Sequence, residues 1–131
     1  MKQNKYIERA FEVLESSENE IIEDNCVVDN KYKGYLNSFG SSVIISGIMP
    51  TILMYCDKSG EKIKVMRLIT KIVDNSNDFK SDKSPWDYYT EHFGKEKETQ
   101  ARKIYTEAAT ALKLAIRTYP LKEEKKEAKN E

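Results

Sequence analysis

The chain has 131 residues, 39% apolar and 34% charged, with 22 basic side chains balancing 22 acidic ones. That size suits one domain with one hydrophobic core, while 5 Gly and 3 Pro are too few turn residues for a many-stranded β fold. No apolar run approaches the roughly 18–20 residues of a membrane-spanning helix, and Met1 to Lys5 lead into an amphipathic segment rather than a signal peptide's apolar region.

The abundance of Glu, Lys, Ala, Leu and Ile is that of a helical protein. A first helix is expected from about Lys2 to Glu18, with Tyr6, Ile7, Ala10, Phe11 and Leu14 on one apolar stripe. Glu8, Arg9, Glu12 and Glu15 fill the other side. Ile21-Ile22 and Val27-Val28, set around Asp24-Asn25, read as a loop pinned by apolar anchors or a short extra turn.

Lys31 to Tyr55 is the most informative stretch, apolar enough for core yet broken at Ser46-Gly47 and restarted through Met49-Pro50. It reads as a helical hairpin. Tyr32, Tyr35, Leu36, Phe39, Val43 and Ile44 supply the first helical stripe, and Ile52 to Cys56 a short buried helix. Pro50 stands in a first turn, where its missing N–H costs little. After the Asp57–Gly60 turn, a fourth helix is expected from Glu61 to Asp74, with Val65, Met66, Ile69, Ile72 and Val73 inward. Lys64, Arg67 and Lys71 share its outward stripe.

Asp74 to Ser84 has almost no apolar anchor and reads as a mobile loop. Ser84-Pro85-Trp86-Asp87 is a helix start with a capping Ser, a Pro at the first position and an acid at the third; Gly94 ends that helix. Ala101, Ile104, Tyr105, Ala108, Ala111, Leu112, Ala115, Ile116 and Tyr119 give the last helix one apolar face. Leu53, Ile69 and Leu112 are expected in a common core. The expectation is an all-α compact bundle of about five to six helices over residues 1–121, followed by a solvated charged tail over 122–131.

Zero net charge hides a segregation. Residues 1–30 carry 3 basic and 8 acidic side chains, and residues 31–73 carry 7 and 2. Residues 74–100 carry 4 and 7, and residues 101–131 carry 8 and 5. Such a molecule can offer one face to a polyanion and another to a protein partner, although single charge blocks are commonly only solvated helix faces. Lys31 and Lys33 open the second helix, Lys58 and Lys62 flank the turn, Lys64, Arg67 and Lys71 run along the fourth helix, and Lys113 and Arg117 lie on the last. With the fourth and last helices adjacent, these nine form a strip suited to phosphates.

Catalysis has little support in the residue types. His92 is the only histidine, so a His-His metal site is excluded and a Ser-His-Asp triad would hang on one residue. Asp74, Asp78 and Asp82 read as loop residues rather than a Mg²⁺ cluster, and no Gly-rich phosphate loop is present. Trp86, Tyr88, Tyr89 and Phe93 are read as a plug on the core in preference to a base-stacking platform. Cys26 and Cys56 lack metal-ligand spacing. As free thiols they point to the cytoplasm. No cofactor is expected.

The order of elements resembles that of the small subunit of type III-B CRISPR effector complexes, the Cmr small-subunit family. In that family an apolar P-x-x-I-x-x-N-G-L stretch leads into A-L-A-F. Here Gly40 to Ile48 is followed by Thr51 to Tyr55, and the closing A-L-x-x-x-x-R-x-aromatic pattern is similar to Ala111, Leu112, Arg117 and Tyr119. Gly40 stands at the family's Pro, Ser46 at its Asn and Ile48 at its Leu. The resemblance implies an all-α bundle without nuclease activity, whose copies stack on one another and beside other Cmr-type subunits, lining the groove that holds target RNA and guide. Two readings follow: a non-catalytic structural subunit that holds RNA by backbone contacts, and a helical protein–protein adaptor that binds no RNA. An enzyme ranks below both.

Overall fold

The computed structural model describes residues 4–16, 20–23, 26–74, 77–80 and 82–120. Over them the chain is all-α, with an isolated antiparallel bridge between Ile22 and Val28. Helix α1 (Asn4–Glu15) buries Tyr6, Ala10 and Leu14 against the later helices α6 and α4, the stripe its 3.6-residue period predicts. The expected helical positions before Asn4 and at 17–18 lie outside the described residues. Ile21, Val27 and Val28 are buried, so the described part of the following segment is pinned by apolar anchors. Its end is fixed when the Val28 N–H donates to the Pro120 carbonyl at 3.0 Å.

Helix α2 (Asn30–Ser46) starts where the Asp29 carboxylate accepts the Lys31 N–H at 3.0 Å, satisfying one of the first-turn donors that no carbonyl can reach. It buries Tyr32, Leu36, Phe39 and Val43. Gly47 then turns the chain at φ +97°, a backbone region that side chains with a Cβ rarely adopt. Helix α3 (Ile48–Tyr55) follows at once. Thr51 Oγ1 gives its proton to the Gly47 carbonyl at 2.8 Å, so Ser42, 2.7 Å from Thr51 Oγ1, is the donor across the corner.

Helix α4 (Lys62–Val73) is the centre of the bundle: 8 of its 12 residues are buried, and it packs against every other helix. Helix α5 (Pro85–His92) begins as expected, with Ser84 Oγ accepting the Asp87 N–H at 3.0 Å, and ends at Gly94 with φ +63°. Helix α6 (Glu98–Ile116) buries five alanines with Tyr105, Leu112 and Ile116. Alanine on the packed face lets neighbouring backbones approach closely, which suits the one helix that lies against α1, α2, α3 and α4. The expected tail, 122–131, lies outside the described residues.

Three expectations are corrected. Leu53 does not join Ile69 and Leu112 in the core: it is 52% exposed, beside Met54 at 50%. Ile44, expected on the packed stripe of α2, is 74% exposed, with Ile45 at 82%. Helix α3 has only eight residues and seats one side, Ile48, Thr51, Ile52 and Tyr55, so the rest of an all-round apolar sequence is left outside. The described part of the 74–84 loop is anchored rather than mobile. Asp74 is buried, and its carboxylate accepts the N–H of Asp78 (3.2 Å) and of Phe79 (2.9 Å). The Phe79 ring packs edge-on against Tyr88. One apolar residue suffices once a buried carboxylate organises the backbone around it.

Candidate nucleic-acid interface

The nine basic residues divide by what they touch. Glu61, the residue before α4, gathers three neighbours: it accepts from Lys31 Nζ at 2.6 Å, from the Tyr32 hydroxyl at 2.9 Å and from Lys64 Nζ at 3.4 Å. The Lys31 ammonium, then the Tyr32 hydroxyl, hold the Glu61 carboxyl down at about 2. The hydrogen bond to Glu61 correspondingly raises Lys31. Lys62, next in sequence, places its ammonium 5.2 Å from the Tyr55 ring centre and 6.0 Å from that of Tyr35, the range of a cation–π contact. Burial pushes the Tyr55 hydroxyl up to about 12, and it donates to the Tyr35 carbonyl at 2.7 Å. The N-terminal ends of α2 and α4 are thus laced together by Lys31, Tyr32 and Lys62.

Arg67 Nη1 pairs with Glu20 at 3.0 Å. The side chains of Lys33, Lys58, Lys71, Lys113 and Arg117 pair with no acidic group among the described residues, and Lys58 and Arg117 are exposed. Helices α4 and α6 are adjacent, the arrangement the expected strip needs. Lys31, Lys64 and Arg67 already spend their charge on carboxylates, whereas the other six carry charge that a phosphate can meet without displacing an acid. Exposed pairs of this sort are worth about 0–1 kcal/mol, so a polyanion competes with them at small cost.

The aromatic group behaves as a plug. Tyr88 and Tyr89 are buried, Trp86 and Phe93 are packed on the core, and Tyr89 stacks with both Trp86 and Phe93. Glu8, Glu12 and Glu15 are exposed along α1. Among the described residues no three His, Cys, Asp or Glu side chains gather to hold a metal ion. Among the described residues no helix is long and apolar enough to cross a membrane.

A second surface emerges only in three dimensions. Residues 34–56 contain no charged side chain in a chain that is one-third charged, and this stretch carries the exposed Ile44, Ile45, Leu53 and Met54. Exposed apolar side chains concentrated on one hairpin are the mark of a contact surface. Arg9 does more than occupy the polar side of α1. Its guanidinium reaches the C-terminal end of α4, donating to the carbonyls of Lys71 (2.6 Å), Asp74 (2.7 Å) and Ile72 (3.1 Å). Nothing local in the sequence signals that contact, which spans more than 60 positions. No family model, curated protein or solved structure matches the chain.

Proposed function

We propose that this chain is a non-catalytic small structural subunit of a type III-B CRISPR RNA-guided effector complex, acting in antiviral defence in the cytoplasm. In that role it packs against Cmr-type neighbours, copies of itself among them, and holds target RNA by contacts to its phosphates. The observation that carries the reading is the division of the surface. The α2–α3 hairpin leaves Ile44, Ile45, Leu53 and Met54 exposed within a stretch free of charged side chains, while Lys33, Lys58, Lys71, Lys113 and Arg117 outside that stretch keep ammonium and guanidinium groups that no carboxylate neutralises among the described residues. A subunit that stacks on protein and touches a polyanion needs both. Sequence would be read by guide–target pairing, and this chain would respond to backbone charge and shape.

The test uses complexes reconstituted around a guide RNA. Changing Lys33, Lys58 and Lys71 to Ala is expected to leave the melting temperature of the subunit unchanged. It should weaken retention of matched targets of any sequence and flatten the salt dependence by about 0.7 in log–log slope for each single-strand phosphate that is no longer neutralised. Assembly with wild-type retention and slope would overturn the RNA half of the proposal. The adaptor reading, which the exposed apolar hairpin favours in its own right, would then take its place. Ile44→Ser with Ile45→Ser should abolish assembly in either case.

A further inference from the structure

Away from the nine basic residues, α1, α5, α6 and the end of α4 enclose a cleft of about 470 Å³. It runs on through Lys5, Tyr6, Gln100 and Ile104 into a second hollow of about 410 Å³ between α1 and α6. These are the dimensions of small-ligand sites. Its lining has two characters. Tyr6, Tyr88 and Phe93 bring aromatic rings, with Ile72, Val73 and Ile104 between them. His92 also lines it, its imidazole lying along the Tyr88 ring with centres 4.2 Å apart and planes at 28°.

The polar part is cationic. Lys5, Arg9 and Lys103 line the cleft, and none of them pairs with a carboxylate among the described residues; Glu107 is the acid that lines it. Arg9 is held in place by the three carbonyls at the end of α4, so its charge is fixed in the wall at no further ordering cost. Gln100 adds an amide that can both donate and accept. A flat ring carrying an anionic group matches this set: the ring among the apolar and aromatic side chains of the lining, its edge on the Gln100 amide, the anion on Lys5, Arg9 and Lys103.

We infer that the cleft bounded by Tyr6, Tyr88, Phe93 and Gln100, with Lys5, Arg9 and Lys103 at its wall and rim, is a binding site for an unpaired nucleotide. The nucleotide is either free or one residue of a single strand. The site does not rest on the phosphate strip of the proposed function, because none of those nine residues lines it.

The test is an NMR titration of the full chain with adenosine 5′-monophosphate, inorganic phosphate, and a six-residue single-stranded oligoribonucleotide. The monophosphate is expected to shift the resonances of Gln100, Lys103 and His92 together and saturably. Gln100→Ala and Lys103→Glu, both at exposed positions, should each weaken it about tenfold with unchanged melting. Changing Lys33, Lys58 and Lys71 to Ala should leave that affinity untouched, which separates this site from the strip. If the oligoribonucleotide moves the same resonances at lower concentration, the occupant is a residue of a strand. If the monophosphate binds at least as well, the occupant is free nucleotide. Three results would each overturn the inference: no shift in these resonances, equal affinity for phosphate alone, or shifts caused by an acidic aromatic peptide and not by the nucleotide.

Discussion

Tyr105 is the side chain on which the interior is least satisfied. Its ring is fully buried in edge-on contact with Tyr89 and Phe93, but its hydroxyl has no hydrogen-bond partner among the described residues. A buried, unpaired hydroxyl carries a desolvation penalty without return. Tyr105→Phe keeps both ring contacts and should therefore stabilise the fold by about 1 kcal/mol, read as a raised denaturation midpoint. Glu61 gives a prediction of opposite character at the surface. Its folded carboxyl sits at about 2 against an ordinary 4.5, so its contribution is complete above pH 4.5 and is lost as pH falls towards 2. The pair is half-exposed and salt will weaken it. Carboxyl NMR should find the Glu61 midpoint near 2 and, in Lys31→Ala, displaced upwards.

At the scale of an element, the corner between α2 and α3 decides how the hairpin closes. Gly47 holds φ +97°. A Cβ there would sit only 3.5 Å from the Glu98 carboxylate and 3.7 Å from Pro50, ordinary contact distances. Space is thus available and backbone conformation is the obstacle. Gly47→Ala should cost about 1–3 kcal/mol, measured by chemical denaturation, while helicity is retained. The Ser42–Thr51–Gly47 hydrogen bonds act on the same corner and set the angle at which α3 leaves α2. On α3, Ile52 is in the core and Leu53, the next residue round the helix, is outside.

For the whole molecule, the central pair α4 and α6 carries the core, and the α2–α3 hairpin carries the exposed apolar face. Two leucines on these elements should behave differently. Leu112→Ala removes a side chain that is 0% exposed and should cost roughly 2–5 kcal/mol. Leu53→Ala, at 52% exposure, should fall within about 0.5 kcal/mol of wild type and act on assembly instead. An equal drop in melting temperature for the two variants would contradict this packing.

The sequence by itself determined the helices, because what starts, ends and orients them is local. Ser84-Pro85 opens α5, Asp29 caps α2, Gly47 and Gly94 supply positive φ, and 3.6-residue stripes mark the faces of α1, α4 and α6. The candidate site was legible only as a set of basic residues. Tertiary structure decided which of them are free, because a charge finds its partner through helix packing: Lys31 meets Glu61 across 30 positions, Arg67 meets Glu20 across 47. It also decided which half of an all-apolar helix is exposed, since α3 has no polar face to reveal its phase. The Arg9 clasp on α4 and the cleft beside it have the same origin, as their residues come together only when four helices are packed side by side.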